Sequence, residues 1–180
     1  MMRADARRNR ERLLDAATEL VLEVGGPPNR DAVAERAGVG IGTLYRHFPG
    51  PTSLLEAIVE RALERTVSAA EAALAASPDG ASALRTYAHA AVDHGLGAVH
   101  LVHGHVERPH PELRARADAA ITAILERGRA DGGLRTDVSA ADIVFATIRF
   151  CRPLAVGLPL AEERAIAHRH VDTWMDGMKP

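Results

Sequence analysis

The 180-residue sequence predicts an all-α fold, with an N-terminal three-helix helix-turn-helix domain and a C-terminal helical body, and three observations predict it. Ala, Leu and Arg dominate and only 3% of residues are aromatic, so intrinsic propensity favours helix along most of the chain. Apolar residues recur at i, i+3 and i+4 in successive windows, the period of a helix with one buried face. The breaks between those windows fall at Gly and Pro clusters: Gly25-Gly26-Pro27-Pro28, Pro49-Gly50-Pro51, Ser77-Pro78-Asp79-Gly80 and Asp131-Gly132-Gly133. This length makes one or two small domains and is enough to bury a core.

The first helix is expected over residues 8–24, burying Leu13, Leu14, Ala17, Leu20, Val21 and Val24. Asn29 then offers a side-chain oxygen as the cap of a short second helix, 29–37, with Val33, Ala34 and Ala37 as its apolar stripe. Gly38 supplies the positive φ of a tight turn and Val39 plugs the small core. A third short helix starts at Gly40. Its Leu44 and Phe48, spaced i, i+4, face inward and leave Ile41, Gly42, Thr43, Tyr45, Arg46 and His47 outward or sideways. Two short helices joined by a glycine turn make a helix-turn-helix, whose second helix is shaped to enter a DNA major groove.

The segments Ala34-Glu35-Arg36-Ala37-Gly38-Val39, Gly42-Thr43-Leu44-Tyr45-Arg46-His47-Phe48-Pro49 and Leu54-Leu55 resemble the tetracycline-repressor (TetR) family of bacterial regulators. The resemblance covers roughly the first third of the chain. It implies that Arg30, at the start of the helix that crosses the DNA backbone, contacts phosphate, and that Tyr45 and His47 do the same, setting register rather than reading sequence. Thr43 suits a base edge or a phosphate, Ile41 a thymine methyl, and Gly42 a close approach to the groove floor. Two residues depart from the family pattern. Gly40 stands where relatives carry a capping serine, and Pro51 where they carry a phosphate-contacting lysine, so one phosphate contact is expected to be missing.

Net charge sharpens that expectation. The chain carries −2 overall, and residues 1–60 hold eight arginines against nine acidic residues. A basic arm, with Arg3, Arg7, Arg8, Arg10 and Arg12 against Asp5 and Glu11, is the local exception. Weak or strongly salt-sensitive operator binding follows.

In the body, a long helix over 52–76 carries Leu54, Leu55, Ile58, Val59, Ala62, Leu63, Val67, Ala70 and Leu74 on one side. A second runs from 81 to about 106, with Gly95 and Gly97 marking a kink. The stretch 89–110 holds six of the nine histidines: His89, His94, His100, His103, His105 and His110. Without a nearby cysteine, and with only Asp93 and Glu107 as local carboxylates, the expectation is a polar wall or plain surface and no metal. Helices over 112–130, 140–156 and 161–177 complete the chain, Ser139 and Asp142 forming a capping box for the middle one. That helix is apolar nearly all round, so something covers both its sides. The last carries Ile166, His170, Trp174 and Met178 at spacings of four, and the pair suits an isologous four-helix homodimer interface.

The expected organisation is therefore a DNA-binding domain over 1–50, with its motif at 29–48, and an effector-binding and dimerisation domain over 51–180. Its expected partners are a double-stranded operator, a second copy of the chain and a small-molecule effector that releases this transcriptional regulator, expected to be a repressor, from the operator; no cofactor is implied. In a dimer the two recognition helices must lie about 34–36 Å apart, so an effector need only favour a different spacing. Helix-face reasoning nominates Tyr87, Ala91, His94, Val102, Ile121, Phe145, Arg149 and Arg152 as lining its cavity. The alternative is a DNA-binding or protein-interaction module of the same fold with no effector. An enzyme is disfavoured: no phosphate-cradling glycine loop follows a strand, and no zinc-ligand pattern or nucleophile elbow occurs. Cys151 sits in an apolar run as a small hydrophobe, and without a signal peptide or transmembrane run the protein is expected in the cytoplasm.

Overall fold

The computed structural model describes residues 2–97, 101–107, 110–152 and 157–180, the side chains of Met2, Arg3 and His103 excepted. Among the described residues are eight α-helices: α1 Met2–Val24, α2 Arg30–Arg36, α3 Ile41–His47, α4 Ser53–Ala76, α5 Gly80–Asp93, α6 Pro111–Ala130, α7 Ala140–Cys151 and α8 Leu160–Asp176. A single 3-10 turn, His103–His105, lies between α5 and α6. The residues form two compact units, one running to Arg61 and including 101–107, the other made of Ala62–Gly97 and His110–Pro180.

In the first unit α1, α2 and α3 pack on one another. Leu13, Leu14, Ala17, Val21, Val33, Leu44, Phe48, Leu54 and Ile58 fill its core, each with at most 2% of its surface exposed. Two expectations about α1 need correcting. The helix begins at Met2 rather than near residue 8, so the basic arm is its first turns, and Val24 is 61% exposed because the helix ends there, past the edge of the core. Arg61, in α4, reaches α1 as a nearly buried clamp: its guanidinium donates to Asp15 Oδ1 (2.7 Å), to the Leu14 carbonyl (2.6 Å) and to the Thr18 hydroxyl.

The second unit packs α5 against α6, α7 and α8, and α7 against both its neighbours in sequence. Ala70, Ala73, Leu84, Tyr87, Ile121, Ile124, Leu125, Leu134, Ile143, Val171 and Met175 make one core. Helix ends are tied by long-range contacts. Arg127 donates to the carbonyls of Leu74 (2.7 Å), Ser77 (2.9 Å) and Pro78 (2.8 Å), satisfying the open C-terminal end of α4. Where α5 starts against the end of α6 the approach is so close that a Cβ on Gly80 would stand 2.1 Å from the Gly128 backbone nitrogen.

The expected helix over 81–106 stops at Asp93. Gly95 takes φ 62°, its N–H donates to the Val92 carbonyl and that of Leu96 to Ala91, a Schellman close that ends the helix instead of kinking it. The expected helix over 140–156 is described as far as Cys151; Leu154, Ala155 and Val156 lie outside the described residues, as do Val99, His100 and Pro109. The capping box holds, with the Asp142 N–H donating to Ser139 Oγ at 3.3 Å and the Ser139 N–H to Asp142 Oδ2 at 2.8 Å. On α8 the buried stripe is Ala167, Val171, Met175, continued by Met178, one residue round from the expected Ile166, His170 and Trp174. His170 is exposed, and Trp174 is half-buried, edge-on to Phe150 at 5.5 Å.

Candidate nucleic-acid interface

The helix-turn-helix follows from local chemistry. Asn29 Oδ1 accepts from the N–H groups of Asp31 (2.8 Å) and Ala32 (3.2 Å), which starts α2. Gly38 takes φ 63°; its N–H donates to the Glu35 carbonyl (2.9 Å) and that of Val39 to Ala34 (3.0 Å), the same Schellman close. The turn is braced from α1, where Arg12 lies along the Gly38 carbonyl at 3.5 Å. Arg36 forks onto both oxygens of Glu23 (2.7 and 2.9 Å), and that hydrogen bond holds the Glu23 carboxyl below the usual carboxylate range.

The cap of α3 is Gly40, in extended conformation and without a side-chain hydrogen bond, so the first turn of α3 has open N–H groups. Leu44 (0% exposed) and Phe48 (2%) point inward, which turns Ile41, Gly42, Tyr45 and Arg46 out to solvent and leaves Thr43 and His47 half-buried. Three of the expected contact residues are joined: Arg46 Nε donates to the Gly42 carbonyl (3.2 Å) and Nη2 to the Thr43 hydroxyl (3.0 Å). Nothing in a single sequence distinguishes that backward rotamer from an outstretched one.

Arg30 does not extend from the start of α2. Its Nη1 donates to the Phe48 carbonyl (2.7 Å), its Nη2 to Gly50 and to Pro51 (3.3 Å), and its Cζ lies 5.2 Å over the Tyr45 ring. Arg10, from the basic arm, has its guanidinium 5.6 Å from the Phe48 ring centroid and 3.8 Å from Glu60. Arg7 and Arg8 are exposed.

The residues 13–58 match the family model described as bacterial regulatory proteins, tetR family. Over the whole chain, a crystal structure of a TetR transcription regulatory protein from Mycobacterium vanbaalenii is 31% identical, covering 100% of both chains with a TM-score of 0.67. The chain belongs to the TetR family. Curated matches are shorter: an HTH-type transcriptional regulator of Staphylococcus aureus is 38% identical over 64 residues, 35% of each chain, so the match spans about a third of such relatives. Similar over most of its length is the TetR-like regulator LfrR of Mycobacterium smegmatis, solved in complex with proflavine, at 25% identity, 93% and 96% coverage and a TM-score of 0.64.

The residues nominated for an effector cavity differ in burial in this TetR-family fold. Tyr87, Ala91 and Ile121 are closed in the second unit at 2%, 0% and 1% exposure, while His94, Phe145, Arg149 and Arg152 are exposed and Val102 belongs to the first unit. Burial raises the Tyr87 phenol, and burial followed by the Arg65 charge lowers His94. His89, in the histidine-rich stretch, makes its contacts elsewhere in the chain. His89 stacks on His168 of α8 with ring centroids 5.0 Å apart and Nδ1 atoms 2.7 Å apart; His89 Nε2 lies 3.1 Å from Asp172, and His168 Nε2 2.9 Å from Asp93. Spacing along one helix carries no signal for that pairing, because its partners are 79 residues apart. Among the described residues no group of three or more His, Cys, Asp or Glu is arranged to hold a metal, and no helix is long and apolar enough to cross a membrane.

Proposed function

We propose that this TetR-family chain is a cytoplasmic, dimeric transcriptional repressor whose residues 1–50 bind a pseudopalindromic operator and whose residues 51–180 bind an effector and dimerise. The observation that carries the DNA reading is α3: anchored by Leu44 and Phe48, it shows solvent a contiguous face of Ile41, Gly42, Tyr45 and Arg46. Gly40, Ile41, Gly42 and Thr43 then lie toward the bases, and Tyr45, Arg46 and His47 toward phosphates. Pro51 in place of a cation, and eight arginines against nine acidic residues over 1–60, leave this head without net positive charge, so operator binding is weak at moderate salt.

Dimerisation through α7 and α8 is supported by the large apolar groups left outside: Phe145 is 59% exposed on α7 and Leu158 is 38% exposed ahead of α8. A self-complementary pairing of that face buries both. The effector reading is supported by the proflavine complex of the Mycobacterium smegmatis relative, and Tyr87, Ala91 and Ile121 are its buried candidates here. The test is retardation of the protein's own upstream DNA at low salt, repeated with proflavine as probe. Retarded DNA that proflavine releases, with proflavine also bound by the protein in the absence of DNA, supports operator and effector binding together; retarded DNA that proflavine leaves bound favours the effector-free alternative; no retardation removes the DNA reading. The mass in solution decides the dimer.

A further inference from the structure

We propose that Arg30 is a positioning residue for the recognition helix, fixing the exit of α3 and the plane of the Tyr45 ring, and is not itself a phosphate ligand. This rests on the reading that α3 enters DNA. All four of its contacts fall on one short stretch, 15 to 21 positions further along the chain: the Tyr45 ring and the carbonyls of Phe48, Gly50 and Pro51. The chemistry of that stretch explains why a guanidinium is needed. A helix leaves its last carbonyls without intrahelical donors. Here the chain leaves α3 through Phe48-Pro49-Gly50-Pro51, and the two prolines have no N–H with which to form a local turn bond. Phe48, at φ −134° and ψ 74°, has already left helical geometry. A planar fork from α2 supplies the donors from outside, at the negative end of the α3 dipole where a cation is favoured. Ser53 adds one more, its hydroxyl donating to the Gly50 carbonyl at 2.8 Å.

The same guanidinium lies over one face of Tyr45, a residue 51% exposed. A cation over a ring at this distance restricts its χ rotation and thus where the phenol points. The sequence places a cation at position 30 and none at position 51; the fold brings the position-30 cation to within 3.3 Å of the Pro51 carbonyl, engaged by the protein's own backbone.

The experiment compares wild type with Arg30→Lys and Arg30→Gln, measuring affinity against salt for the upstream duplex and for a scrambled duplex, and amide exchange at Phe48, whose N–H donates to the Leu44 carbonyl. A positioning role predicts that both variants lose about tenfold affinity for the upstream duplex and little for the scrambled one. The slope of log affinity against log salt stays as in wild type, and Phe48 exchanges about tenfold faster. Lysine does not rescue, having no fork. A slope reduced by about one with equal loss on both duplexes marks a phosphate ligand and overturns the proposal. So does full rescue by lysine, or unchanged exchange at Phe48. If wild type binds neither duplex, the DNA reading falls by itself, and exchange at Phe48 still decides whether Arg30 holds the end of α3.

Discussion

Replacing Arg61 with methionine tests how the long helix α4 is fixed to α1. Methionine keeps most of the stem's apolar volume, so the perturbation removes mainly the guanidinium, which is 7% exposed as a residue. Three donated hydrogen bonds go: to Leu14, Asp15 and Thr18. Charged hydrogen bonds are individually worth about 1.5–3 kcal/mol, but they do not contribute equally here. The Asp15 side chain is 57% exposed, so water replaces the lost donor and that pair is worth under about 1 kcal/mol. The Leu14 carbonyl keeps a partner in the Thr18 hydroxyl at 2.8 Å. What remains is the buried share of two bonds, offset by relief from desolvating a cation, for a net loss of about 2 kcal/mol. Urea unfolding followed by helical circular dichroism reads this directly, with Asp15→Asn alone costing under about 1 kcal/mol. A loss within about 0.5 kcal/mol of zero for Arg61→Met would refute the assignment of this guanidinium as a structural clamp.

Gly80→Ala should cost more than about 3 kcal/mol or prevent folding, since its Cβ would meet the Gly128 backbone at 2.1 Å and backbone cannot swing aside; thermal melting reads it. Ser139→Ala removes a formed capping box and should cost about 1 kcal/mol by urea unfolding. Acid should destabilise the second unit in part through Asp79 and Asp142, held low by hydrogen bonds from Ser82 and Ser139. With folded values below the unfolded one, their contribution is complete above the ordinary carboxylate range and disappears as pH falls through the lowered values. Asp79→Asn should therefore flatten the stability profile below about pH 4. Burial pushes the Cys151 thiol up to about 12, so native protein at pH 8 should resist iodoacetamide while urea-unfolded protein reacts readily. Pro51→Lys should tighten DNA binding at moderate salt, read by anisotropy titration.

The helix-turn-helix was legible because its determinants are local: a cap at Asn29, a positive φ at Gly38 and an i, i+4 pair at Leu44 and Phe48 each act within a few residues. The end of α5 was not, because Val99, Val102 and Val106 continue the apolar period past Gly95, and periodicity does not distinguish a glycine that bends a helix from one that closes it. The face of α8 was misplaced for a geometric reason. Two sets share the step of four, Ile166, His170, Trp174 and Ala167, Val171, Met175, set about 100° apart around a helix of 3.6 residues per turn, and spacing alone does not choose between them. The structure buries the second set. Arg30 was visible as a cation at a helix start but not as one that folds back, since its partners are 18 or more residues away in sequence and are carbonyls that any residue carries.

Fluorescence anisotropy of a labelled duplex from the region upstream of its own gene, titrated with the wild-type protein at about 50 mM and about 200 mM salt, tests the central claim most directly. Saturable binding at the lower salt, sharply weakened at the higher and lost in Tyr45→Ala, is the result the exposed face of α3 requires. Absence of binding at the lower salt, or binding untouched by Tyr45→Ala, would contradict it.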